Sequence, residues 1–293
     1  MKNTDFSRIT IVSVTGLPDA TSAANALALS QKNMPGARVL LCSPKAPDNL
    51  AKGIEHRAIA PLNYHEYSWF MMFALWRVIE TEYALIVQDD GWVLDASNWD
   101  DAFFDYDYVG PMVHVARVET ADETRWLHRY AWSYELQKPG TIVHPVLNGG
   151  FCLRSRRMMR ALIDHPEIKV HVPPPDDAVG DPLKMNWANN ALNEDVQLTA
   201  ILRPSLQAVG FKFAPVDVCL KFGIEHAGAV HRNLDMMQLF GHHCRWRKLV
   251  SIDPPTIRYG CKRSRAEKAF REMDIVRMLE QRGYRIIFDR ETA

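Results

Sequence analysis

The sequence predicts an α/β protein built on a mostly parallel central sheet flanked by helices, and three observations predict it. The run 84–87 is apolar throughout and stops abruptly at Gln88-Asp89-Asp90-Gly91, the pattern of a strand buried on both faces. The first 42 residues read strand, helix, strand, which implies parallel pairing through a right-handed crossover. A glycine turn at Asn148-Gly149-Gly150 then opens a further apolar strand.

Taken in order, residues 9–16 form a β-rich run closed by Gly16, residues 20–31 an Ala- and Leu-rich helix, and residues 37–42 a second strand. Residues 67–80 carry bulky apolar side chains around most of a helix, which predicts a well-buried one. Residues 107–110 suggest a short strand and turn. The mixed polar stretch 116–140 suggests an excursion from the sheet, with a return at 142–144 and 148–155. Residues 171–190, with Pro173, Pro174, Pro175, Gly180 and Pro182, read as a long loop, either a functional lid or a disordered segment. Residues 196–202 read as a helix ending before Pro204, and 211–218 alternate as a strand would. In the tail, Ser264 and Glu267 fit a capping box, Phe270, Met273 and Val276 follow at helical spacing, Gly283 suits a C-cap, and 284–288 read as a final strand. The expected organisation is one domain over residues 1–250 and a helix–strand extension over 251–293, packed on it.

Composition narrows the function classes. With 35 basic and 35 acidic residues the formal charge is zero, so no global field favours nucleic acid. The first residues lack the apolar core of a secretory signal, and the most hydrophobic segment, 69–79, is too short to span a bilayer and contains Arg77. Five scattered cysteines without a Cys-x-x-Cys pair read as reduced thiols. These features predict a soluble cytoplasmic protein without a transmembrane segment.

Four short constellations carry chemistry. Ligands of open α/β sheets bind beyond the carboxyl ends of the strands, where Asp89 and Asp90 stand. Successive strand residues alternate, so Gln88 and Asp90 share a face; the plainer reading is a turn whose acids cap backbone amides. In Asn193-Glu194-Asp195, Asn193 would cap a helix with both acids in its first turn. A carboxylate held there is also a well-oriented base, with its pKa lowered by the helix dipole. Gly149 and Gly150 permit a tight turn or a close ligand approach. Among His226, His231, His242 and His243, no second ligand pair sits at zinc-finger spacing. One of them completing an oxygen-rich site is favoured over zinc, while for each histidine taken singly an ordinary hydrogen-bonded or surface role is the better reading.

Together these motifs resemble, in order, the nucleotide-sugar-dependent glycosyltransferases of the GT-A fold. More narrowly, Gln88-Asp89-Asp90-Gly91-Trp92, Asn148-Gly149-Gly150-Phe151-Cys152-Leu153-Arg154-Ser155, Asn193-Glu194-Asp195-Val196 and Phe240-Gly241-His242-His243 look like an uncharacterised bacterial and fungal family of inferred glycosyltransferases, over about residues 9 to 245. The resemblance implies a GT-A-like (Rossmann-like) sheet. Asp90 would be the last acid of an Asp-x-Asp motif that holds Mn²⁺ or Mg²⁺ on the donor diphosphate, with Gln88 in place of the first acid. Asp89 would touch the ribose or the metal. Asp195, with Glu194 second, would be the acceptor base of an inverting enzyme. His243 would be the late metal ligand, with His242 and His226 as fallbacks. Val14, Thr15 and Gly16 would cradle the nucleotide base, and Asn148, Gly149 and Gly150 would line the donor site. Its substrates would be a nucleotide-sugar and a hydroxyl acceptor (glycan, lipid or small molecule). Two rival readings use the same residues. One is a metal-dependent phosphoester hydrolase built on Asp89, Asp90 and the histidines; the other is an inactive nucleotide-sugar or glycan-binding protein, which Gln88 favours. A dinucleotide oxidoreductase is disfavoured, because residues 15–20 lack Gly-x-Gly-x-x-Gly.

Overall fold

The computed structural model describes residues 4–289. The chain opens with β1 (Ile9–Val14), α1 (Thr21–Asn33), β2 (Arg38–Ser43), β3 (Ile54–Ala58), α2 (Tyr64–Phe73), β4 (Tyr83–Val87) and β5 (Gly91–Val93). It continues with β6 (Tyr108–Val109), β7 (Met112–Glu119), β8 (Thr124–Leu127), β9 (Ile142–Leu147) and β10 (Phe151–Ser155). Short helices α3 (Arg156–Met159) and α4 (Ala161–Asp164) precede a hairpin of β11 (Asp177–Val179) and β12 (Lys184–Asn186). Then come α5 (Glu194–Val196), which runs into a π-helical turn, α6 (Arg203–Ala208), α7 (Val216–Phe222), β13 (Gly223–Ile224) and β14 (Gly241–His243). The chain closes with β15 (Arg247–Ile252), β16 (Pro255–Lys262), α8 (Arg263–Lys268), α9 (Glu272–Gln281) and β17 (Arg285–Asp289).

The central sheet has the order β3-β2-β1-β4-β10-β6. The first four strands are mutually parallel, and β10 runs antiparallel to both its neighbours. The expected α/β architecture is therefore the observed one. Every residue of β1 and β4 is buried, so the sheet is covered on both faces, as continuous apolar strands require. Fixing Ile9–Val14 beside Tyr83–Val87 brings the loops after β1 and β4 to the same sheet edge. Two smaller sheets complete the cleft. β7, β8 and β9 form an antiparallel excursion, and β5 pairs with β14, which pairs with β13. A second core joins Trp92, Leu94 and Ile224 to Ile257, Tyr259, Ile275, Leu279 and Tyr284 of the C-terminal layer. Residue 251 lies inside β15 of that layer.

Several local expectations differ. The helix expected over 67–80 starts at Tyr64 with a full capping box from Asn63 and Glu66, and ends at Phe73. Trp69 and Phe73 are exposed, so its apolar circumference is only partly covered. Residues 142–147 do not rejoin the central sheet; they pair with β7, and the return comes at β10. Residues 211–218 make a single bridge at Phe213 and then enter α7 (Pro215 is its N-cap) instead of a strand. The helical turn after α5 does stop before Pro204, but α6 restarts at Arg203 with the proline in its first turn, where the missing N–H is tolerated. The 171–190 segment holds the exposed β11–β12 hairpin. Ser264 is the second residue of α8, whose N-cap is Lys262, so it does not cap that helix. Phe270 precedes α9 and is exposed, while Val276 is buried. The cysteines are free and buried, and among the described residues no helix is long and apolar enough to cross a membrane.

Candidate active site

The first wall of the site is the turn between β4 and β5. Antiparallel pairing of β5 with β14 sets Gly91 opposite His243 and Trp92 opposite His242. The Cys244 N–H donates to the Asp90 carbonyl (2.9 Å), which pins the strand end to the turn. His243 Nε2 thereby lies 2.9 Å from Asp90 Oδ1 and 3.1 Å from Gln88 Oε1. Gln88 and Asp90 thus meet on one imidazole nitrogen, as their shared face predicts. Gln88 Nε2 donates onward to the Tyr67 hydroxyl (2.8 Å). Burial alone would lower His243, but the facing Asp90 carboxylate outweighs it and raises the imidazole to about 9. Burial likewise opposes ionisation of Asp90, and His243 still holds that carboxyl below its ordinary value. Asp89 goes the other way, pushed up by burial and then by the charge of Asp90.

The second wall is the turn after β9 together with the start of α5. Asn148 Oδ1 accepts from Gly150 N–H (2.6 Å) and Phe151 N–H (3.2 Å), closing an Asx turn, while its Nδ2 donates to Glu225 Oε2 (3.2 Å). The glycines are required by crowding. A Cβ on Gly149 would stand 2.3 Å from Glu194 Oε1, and one on Gly150 would stand 2.3 Å from His243 Nε2. This turn separates the two acid clusters by the thickness of a backbone. Glu194 is ion-paired with Arg154 Nη2 (3.0 Å), both side chains being buried. Among the described residues Asp195 makes no ion pair. Its Oδ2 accepts from Gly149 N–H (3.2 Å) and its Oδ1 from Val196 N–H (2.8 Å). Burial first, and the Glu194 charge second, raise its carboxyl to about 7. The expected lowering by the helix dipole is overridden, since α5 is a single short turn and the carboxylate is desolvated. Asn193 occupies the N-cap position without a side-chain capping bond; its side chain interacts with Tyr64.

These walls enclose a cleft of about 980 Å³. Val14, Thr15, Gly16, Asp89, Asn148, Gly149, Gly150, Glu194, Asp195 and His243 all line it. Asp90 sits behind His243 and does not line it. The fallback histidines stand apart. His242 is fully buried with its ring edge-on to Trp92 at 4.2 Å, and burial pushes it well below its ordinary value. His226 packs 4.9 Å from the Trp246 ring beside Cys244. Glu225, His114, Tyr64 and Tyr67 also line the cleft and were not singled out from the sequence. Glu225 follows a two-residue strand with no periodicity to flag it, whereas Arg154 stood in plain view within a quoted motif.

One set of donors, a carboxylate, an imidazole and an amide oxygen, has the chemistry a divalent cation would accept, and its members meet at His243 Nε2 at hydrogen-bond distance. Cis ligands at about 2.1 Å bond length lie roughly 3.0 Å apart, and the two contacts to His243 Nε2 measure 2.9 and 3.1 Å. Among the described residues no cluster of three or more His, Cys, Asp or Glu is arranged for a metal. The protein donors would be Asp90, His243 and the Gln88 amide oxygen, which leaves positions for substrate phosphate and water.

No curated protein matches the sequence. Among solved structures, the chain is similar to the galactosyltransferase LgtC in complex with donor and acceptor sugar analogues, at 11% identity over 80% of this chain and 87% of that one, with a TM-score of 0.43. A family model described as protein of unknown function (DUF5672) matches residues 59–243, a span that contains both acid clusters, the glycine turn and His243. The chain belongs to that family.

Proposed function

We propose that the chain is a GT-A-type glycosyltransferase that moves a sugar from a nucleotide-diphosphate donor to a hydroxyl acceptor, in the cytoplasm and with inversion. Asp195 carries the reading. It is a cleft-lining carboxylate without an ion pair among the described residues, raised to about 7, and a general base works best when its pKa lies near the working pH. Asp195 would take the proton from the acceptor hydroxyl as it attacks the sugar. The donor would lie along Val14, Thr15 and Gly16, with Asn148, Gly149 and Gly150 lining its site.

Departure of a nucleoside diphosphate gathers negative charge on the leaving oxygen, and that charge must be met. Among the described residues no Lys or Arg lines the cleft, although the Lys248 charge reaches Asp89 and Asp90, while Asp19, Asp89, Glu194, Asp195 and Glu225 do line it. This balance favours a Mg²⁺ or Mn²⁺ ion held by Asp90 and His243 beside Gln88; when bound, it would supply Lewis-acid stabilisation of the leaving phosphate. Asp89 would orient the ribose or an outer-shell water. At about 980 Å³ the cleft is at the large end for small-molecule sites and accommodates a donor plus part of an acceptor.

Thermal denaturation with UDP- and GDP-sugars, with and without Mn²⁺, tests the proposal, CMP-sugars serving as the monophosphate control. One diphosphate donor should raise the midpoint, and more so with Mn²⁺. No shift with any donor would overturn the reading.

A further inference from the structure

Arg154 is a fully buried arginine paired with Glu194, the chain neighbour of the proposed base, and the reaction so far gives it no task. It comes from the middle of β10, whose antiparallel register places it opposite Ala84 on one side and Tyr108 on the other. Its guanidinium donates to Glu194 Oε1 (3.0 Å) and to the Tyr108 hydroxyl (3.4 Å), and it lies 5.0 Å from the Tyr108 ring centroid. Nε reaches Cys152 Sγ at 3.3 Å. Glu194 Oε1 occupies the space that a Cβ on Gly149 would need, and the Gly149 N–H donates to Asp195. A buried cation with several fixed partners, tied to the first residue of α5, restrains the start of that helix, whose own hydrogen-bonded run extends only through the π-helical turn Gln197–Ile201.

We propose that Arg154, through its ion pair with Glu194, is the positioning residue that fixes the start of α5 and so presents the Asp195 carboxylate to the cleft. This rests on the reading of Asp195 as the base. Glu194 is then no alternative base. Its carboxylate is committed to Arg154, and its remaining effect on Asp195 is electrostatic.

The charged and titratable groups facing Asp195 are Glu194 on its own helix, Arg154 and Tyr108 from the central sheet, Tyr64 from α2 and His243 from β14. Glu194 disfavours ionisation of Asp195 and Arg154 favours it more weakly. Removing the Glu194 charge should therefore lower the Asp195 titration midpoint.

The test follows the carboxyl ¹³C signal of Asp195 in protein labelled at aspartate, assigned by its loss in Asp195→Asn, and needs no substrate. Wild type should titrate near 7. Glu194→Gln should titrate about one unit lower. Arg154→Lys, which keeps the cation, should stay near wild type. If Glu194→Gln does not fold, the double variant Arg154→Met/Glu194→Gln removes both charges together and should still fall below wild type, by less. Midpoints unchanged in both Glu194→Gln and the double variant, or a folded double variant that transfers sugar at the wild-type rate, would overturn the proposal. The base reading fails separately: Asp195→Asn that still transfers sugar would remove Asp195 from catalysis without altering any of these midpoints.

Discussion

The two adjacent-acid pairs, Asp89-Asp90 at the end of β4 and Glu194-Asp195 at the start of α5, solve one problem in different ways. Each keeps two carboxylates in a half-dry cleft by giving a cation to one and leaving its neighbour raised. At the strand end the cation is His243, which can lose its proton, and both partners retain some exposure. At the helix start the cation is Arg154, permanently charged and sealed from water. A titratable partner can give way to a metal ion, whereas a guanidinium cannot. Under the proposed function the first pair would exchange its proton for a metal ion, and the second would keep a fixed geometry.

The largest expected effect breaks the second pair at its free member. Asp195→Asn should lower transfer by about 10²- to 10⁴-fold, the range for loss of a general base, while donor-induced thermal stabilisation persists. The same residue sets the pH dependence. Asp195 must be ionised to accept a proton, so transfer should fall as pH drops through about 7. Its contribution to stability runs oppositely. A carboxyl raised from 3.8 to about 7 favours the folded state at low pH, and that contribution is lost as pH rises between those values. Asp195→Asn should therefore flatten the urea midpoint across this window, and a profile as steep as wild type would contradict the assignment.

Next in size is the fixed cation. Arg154→Met leaves Glu194 buried and unpaired, which costs about 3–5 kcal/mol, read as a lower urea midpoint. Adding Glu194→Gln should recover most of it, because a neutral pair of similar volume is tolerated. Equal loss in single and double variants would mean that packing, and not charge, accounts for the cost.

Much of this contrast was legible in the sequence. Apolar runs such as 84–87 announce themselves by composition, and the acids that follow them stand at strand ends by topology. What sequence could not provide was partnership. Asp90 and His243 are 153 residues apart in number and meet only because β5 pairs with β14. The helix-dipole argument gave the wrong direction for Asp195, since it counts only the helix and not the burial produced by the Gly149 turn packed on it. The strand expected at 211–218 failed for a related reason. Its alternation is that of a loop dipping into the core at Phe211, Phe213 and Ala214 before Pro215 starts a helix.

The exchangeable pair should respond through ligand linkage. With Mn²⁺ and the responding nucleotide at about one hundred times its Kd, wild type should gain about 2.7 kcal/mol, and Asp90→Asn should lose most of the manganese-dependent part. A variant equally stabilised with and without Mn²⁺, alongside a wild type that distinguishes them, is the expected pattern; identical manganese responses in the two proteins would remove Asp90 from the metal site.

The smallest effect lies between the pairs. Tyr67 accepts from Gln88 Nε2 at 2.8 Å on one side, and the Glu194 charge acts on it from the other. Removing its hydroxyl leaves the Gln88 amide without that acceptor and frees Oε1 to rotate away from His243. Tyr67→Phe should cost about 1 kcal/mol and, if Gln88 helps to fix His243, should also weaken the manganese response while leaving the Asp195 titration midpoint in place. A shift in that midpoint larger than the change in manganese response would show that Tyr67 couples to the fixed pair instead, so this variant assigns the residue to one cluster or the other.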